Sequence, residues 1–68
     1  MSKIMDDVER QIAEGAARAQ LRRQQAGPLE LAEASDDLAL KYEQAGNKLM
    51  GATHRQLAAA YRKIAAES

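Results

Sequence analysis

Apolar and small residues recur at spacings of three and four along almost the whole 68-residue chain, and no segment alternates with a period of two. That period belongs to helices with one apolar face, and β-branched residues are scarce, so strands are not expected. The first stripe is Met5, Val8, Ile12, Gly15, Ala16 and Ala19, flanked by Ile4, and it predicts a helix over 3–26 with Ser2 as its N-cap. Asp6, Asp7 and Glu9 near its start and Arg18, Arg22 and Arg23 near its end match the sign of the helix dipole. Its side chains shrink toward the C-terminus, which permits close approach of a neighbour and leaves little area to bury.

Gly27-Pro28 is the strongest break, because Pro28 has no amide for a continuing helix and restricts the residue before it. Gly27 is expected in a left-handed C-terminal position and Pro28 in the next helix's first turn, with Glu30 behind it. So short a corner predicts two helices folded back on each other. The second helix is placed over 28–50, carrying Leu31, Leu38, Tyr42, Ala45 and Leu49, with Ser35 filling a gap and Gly46 in its interior. From Leu49 to Leu57 the apolar phase slips by about 80°. Gly51 then reads as a stop and Thr53 with Gln56 as a capping box, opening a third helix over 54–67 that presents Leu57, Tyr61 and Ile64. Gly46-Asn47 is the competing stop, and one long bent helix the alternative. The pattern therefore specifies an all-α fold, a helical hairpin with a shorter third helix, in a single helical domain over 1–68.

Composition changes this picture in one way. Fifteen of the apolar residues are alanine, and Phe, Trp and Cys are absent. Alanine is the best helix former and a poor core filler, so helices are encoded strongly and their packing weakly. Sixteen larger apolar side chains are few for a chain of this length, and the shortfall predicts completion by oligomerisation or by a larger partner. Disulfides are impossible, and His54, the lone imidazole, has no thiolate to join it in a structural metal site. Ten basic and ten acidic residues balance, so no overall field draws the chain to nucleic acid or an anionic membrane. No apolar run approaches a membrane span, and the N-terminus turns acidic where a leader would be apolar; a cytoplasmic location is expected.

Candidate chemistry is thin. No phosphate loop, nucleophile elbow or metal-ligand pair at helical spacing is present, so no enzyme activity, cofactor or small-molecule substrate is expected. Arg18, Arg22 and Arg23, with Arg10 on the same helix, could contact phosphates or an acidic partner, or could simply form a solvated helix end. Glu33, Asp36 and Asp37 are the densest acidic patch. His54 reads as a surface residue near a helix start rather than a general base. The leading expectation is a small regulatory, inhibitory or adaptor protein, homodimeric or bound to a larger target. It would present Leu38, Tyr42 and Leu49, or Leu57, Tyr61 and Ile64, to a partner's groove. Nucleic-acid binding through the arginines is the alternative, and membrane association is not favoured.

Overall fold

The computed structural model describes residues 3–67, the first three of them as backbone only; Ser2, the expected N-cap, and the side chains of Ile4 and Met5 lie outside that description. Three helices form: α1 (Lys3–Arg23), α2 (Pro28–Gln44) and α3 (Lys48–Glu67), with no strand among the described residues. The all-α expectation and the number of helices are therefore met.

The helix boundaries differ from the sequence reading at both corners. α1 ends at Arg23, not at residue 26, and residues 24–27 make the connection. Gly27 is extended, with φ −75° and ψ 163°, and serves as the N-cap of α2 rather than as a left-handed helix end. Its carbonyl accepts the first α2 hydrogen bond, from Leu31 N–H at 3.1 Å, and Pro28 occupies the first turn. Because Pro28 fixes where α2 starts, a helix running to Ala26 would leave a single residue in which to turn the chain.

The second break is at Gly46-Asn47, and Gly51 ends nothing. Gly46 has φ +85°, the left-handed conformation that costs glycine little. Gly46 N–H donates to the Glu43 carbonyl at 3.0 Å and Asn47 N–H to the Tyr42 carbonyl at 2.8 Å, the paired bonds of a Schellman termination. Asn47 then caps α3: its Oδ1 accepts from Met50 N–H at 3.1 Å, and its carbonyl accepts from Gly51 N–H at 3.1 Å. One residue thus closes one helix and opens the next. The expected capping box does not form; inside α3 the Thr53 hydroxyl donates back to the Leu49 carbonyl at 3.0 Å. With 20 residues, α3 is longer than the 17-residue α2, not the short appendage anticipated.

The expected α1–α2 hairpin is also replaced. α1 and α2 scarcely touch, and both pack on α3. Along α1 the partners Glu9–Gln56, Glu14–Lys63 and Arg18–Glu67 ascend together, so α1 and α3 run parallel. Glu43–Arg55 and Asp36–Arg62 run in opposite order, so α2 and α3 are antiparallel. Around α3, Ala58 and Ala60 are about 160° apart, and both are buried. Ala60 sits beside Ala13 and Glu14 of α1, whereas Ala58 follows Gly51 by two turns on the side that meets α2. The helices therefore form a splayed layer in the order α1–α3–α2, measuring 31 × 29 × 18 Å, with α3 in the middle.

What lies between the helices is small. Ala13, Ala17, Ala32, Ala58, Ala60 and Tyr61 form the buried cluster, with Leu21, Leu31, Leu57 and Ile64 half-buried against it. Tyr61, 4% exposed, is the only large side chain buried among the described residues. Ala32, Ser35 and Ala39 are the buried positions of α2, and Gly51 is where α3 meets them. A Cβ at Gly51 would stand 2.7 Å from Glu43 Cγ and 3.3 Å from the Ala39 carbonyl oxygen, so this glycine sets the α2–α3 spacing. On α1 the inward row is Ala13 and Ala17, not the predicted stripe, whose Val8 and Ile12 are exposed.

Three glycines should separate these roles in thermal unfolding followed by circular dichroism. Gly51→Val forces α2 from α3 and is expected to cost about 1–3 kcal/mol. Gly46→Ala keeps the turn at a cost of about 1 kcal/mol, because alanine resists the left-handed conformation. Gly15→Ala, on an open helical surface, is expected to stabilise by up to about 1 kcal/mol. An equal response at all three positions would contradict these assignments.

Candidate functional site

The broad sides of the layer differ in chemistry. On α3, Arg55, Arg62 and Lys63 make the cross-helix ion pairs: Arg55 with Glu43 at 2.8 Å and with Asp36 at 3.6 Å, Arg62 with Asp36, and Lys63 with Glu14 at 2.7 Å. Arg18 with Glu67 at 2.9 Å completes the cross-helix set among the described residues. Met50, Leu57 and Ile64 fall at seven-residue intervals, within about 40° of arc. The three cations lie about 120 to 160° away from Leu57. On α3, one side is consequently laced with ion pairs and the other is apolar, whereas on α2 the exposed Leu29 and Leu40 fall within about 40° of Asp36, on the ion-paired side.

The polar side carries perturbed acids. The hydrogen bond from Lys63 holds the Glu14 carboxyl below its ordinary range, and that from Arg55 does the same for Glu43. The Arg55 guanidinium is correspondingly raised by its bonds to Glu43. Glu43, Arg55 and Lys63 are exposed and Glu14 is half-buried, so salt screens these pairs and they fasten the helices lightly.

The apolar side is built by all three helices. From α1 come Val8, Ile12 and Ala16; from α3, Leu49, Thr53 and Leu57; from α2, Leu38 and Tyr42. Between α1 and α3, Ile12 and Ala16 face Leu49, Thr53 and Leu57 across a groove of about 500 Å³. Ile12 is 66% exposed and Leu49 77%, while Val8 and Leu38 are also open to solvent. Tyr42 is half-buried and stacks on His54 of α3 with ring centroids 5.3 Å apart and planes 6° from parallel.

The predicted partner-contact residues therefore divide. Leu38, Tyr42 and Leu49 do not form one helix face, because the chain turns between Tyr42 and Leu49; Leu38 and Leu49 remain open, on α2 and α3. Tyr61 is buried in the molecule's own core, and Leu57 and Ile64 pack half-buried around that core, so this second face is largely used internally. Val8 and Ile12, read from the sequence as the inward stripe of helix one, turn out to be outward-facing. The signal that could have found them is the companion row Ala13, Ala17 and Leu21, at spacings of four along the same helix.

The remaining candidates are placed as follows. Arg18 is held by Glu67, whereas Arg22 and Arg23 are exposed and form no ion pair among the described residues. Asp36 is bound by Arg55 and Arg62, leaving Glu33 and Asp37 exposed. His54 sits within α3 rather than at a helix start, with Nδ1 buried and without a hydrogen-bond partner. No group of three or more His, Cys, Asp or Glu gathers around a metal-sized site among the described residues. Nor is any helix among them long and apolar enough to cross a membrane. No protein-family model, curated protein or solved structure matches the chain.

Burial pushes the Tyr61 phenol above its ordinary value of 10.0. Its raised folded value means that the stabilising contribution is complete below pH 10 and is lost as pH rises through that value. Glu14 and Glu43 act in the opposite sense: their contribution is present above the ordinary 4.5 and disappears as pH falls below it. Thermal unfolding at low salt should thus show a falling Tm on both flanks. Glu14→Gln with Glu43→Gln should flatten the acid flank, and Tyr61→Phe the alkaline one; flanks unchanged by these variants would refute the assignments.

Proposed function

We propose that the chain is a small, non-catalytic protein-interaction module of the cytoplasm, a regulator, inhibitor or adaptor, whose contact surface is the apolar side of the helical layer. The observation that carries this reading is the segregation itself. A small protein that gathers Val8, Ile12, Leu38 and Leu49 in solvent on the side away from its cross-helix ion pairs, against the two, Leu29 and Leu40, exposed beside Asp36, has an exposed patch of the kind that marks interaction sites. The open groove beside Ile12 and Leu49 adds concavity, which lets a partner's side chains bury area rather than graze a flat surface. Leu38, Ile12 and Leu49 are then the contact residues, with Tyr42 and Leu57 at the margins and Tyr61 and Ile64 supporting from the core.

Nucleic-acid binding through Arg18, Arg22 and Arg23 is the second reading. Arg22 and Arg23 favour it by forming no ion pair among the described residues, while Arg18 is engaged by Glu67. That contact would make binding steeply salt-dependent and sensitive to Arg22→Ala.

Immobilised wild-type chain is expected to retain a protein, itself or another, that an Ile12→Lys, Leu49→Lys variant of equal helicity does not retain. Retention that is identical for both, or no protein retained together with salt-sensitive binding of DNA or RNA, would overturn the proposal in favour of the arginines.

A further inference from the structure

We infer that the apolar side is covered by a second copy of this chain, related by a twofold axis running along α3, so that α1 of each copy lies over α2 of the other. This rests on the interaction-module reading and names its partner.

Area supplies the first argument. The chain exposes 5074 Å², whereas a compact monomer of 7.4 kDa exposes about 4,200 Å². The excess of roughly 900 Å² is close to the 800 Å² or so that each partner contributes to a standard stable interface. Layering supplies the second, since domains are built from two packed layers and this one has a single layer whose side bearing Ile12, Leu38 and Leu49 is the more apolar. A second copy brings the missing layer with matching dimensions.

Charge complementarity selects the occupant. α1 is acidic at its start (Asp6, Asp7) and basic at its end (Arg22, Arg23), and α2 is acidic at its start (Glu30, Glu33) and basic toward its end (Lys41). α1 runs parallel to α3 and α2 antiparallel to it, so the basic end of α1 lies level with the acidic start of α2. A rotation about the α3 direction exchanges these two positions between copies, bringing the end of α1 that carries Arg22 and Arg23 in one copy to the start of α2 at Glu30 in the other. Shape follows the same exchange: the α1–α3 groove and the projecting Leu38 lie on opposite sides of α3, as a self-complementary twofold contact requires. A net charge of zero adds no repulsion between copies.

The chain has no cysteine, so introduced thiols report without background. Sedimentation equilibrium of the full chain at micromolar concentration is expected to give twice the 7.4 kDa monomer mass. Ile12→Lys and Leu38→Lys, both at exposed positions, should each weaken the dimer by about 100-fold or more with helicity unchanged. Mixing Ile12→Cys with Leu38→Cys under oxidation should give the mixed disulfide in preference to either self-linked product. A monomer at every concentration overturns the inference, as does a dimer indifferent to both lysine variants or one that yields only self-linked products. A monomer that still retains another protein through Ile12 and Leu49 leaves the interaction-module reading standing, whereas one that retains nothing removes both.

Discussion

The structure depends on how closely α2 can approach α3. Gly51 has no room for a Cβ beside Glu43 and the Ala39 carbonyl, and Ala32, Ala39 and Ala58 line the same contact with nothing larger than a methyl group. Close approach lets many weak dispersion contacts form between backbones, which is how an alanine interior can hold at all. It also has a geometric consequence. Once the space between helices is filled by alanine and glycine, leucine and isoleucine are at most half-buried, and a single tyrosine is the only large side chain that the interior encloses among the described residues.

Most of those displaced side chains share one side, Leu29 and Leu40 beside Asp36 being the exceptions. Helical phase gathers Met50, Leu57 and Ile64 on one side of α3, and the positions that pair α3 with its neighbours through charge fall away from them. Because α1 and α2 flank α3 instead of closing over it, this side stays open. Leu57 and Ile64 are half-buried against the core, while Ile12, Leu38 and Leu49 around them stay in water. The link from fold to function is thus topological, and the functional reading follows from which side of α3 was left uncovered.

Much of the fold was legible in the sequence, for reasons that are local. Helical periodicity, the dipole-matched charges of α1 and the Pro28 start of α2 depend only on neighbours within a few residues, and each is found in the structure. The Gly46-Asn47 corner is legible as well, but in the sequence Gly51 competes with it as a stop. Both glycines look alike in one dimension. Gly46 is needed for a positive φ and Gly51 for the absence of a side chain, and only the packed neighbour of Gly51 tells the two apart.

The contact surface was less legible. Reading the largest residues as the inward face is sound where helices are spaced by leucine, and it fails here because alanine sets the spacing; hence Ile12 and Leu49 lie outside while Ala13 and Ala17 lie inside. The sequence by itself determined three helices, their polarity and their weak capacity for burial, since these follow from propensity, capping and composition. Tertiary structure alone decided that α3 is central, that α1 and α2 avoid each other, and which apolar residues remain in water. Those outcomes turn on how near two backbones can come, a distance that no single helix encodes.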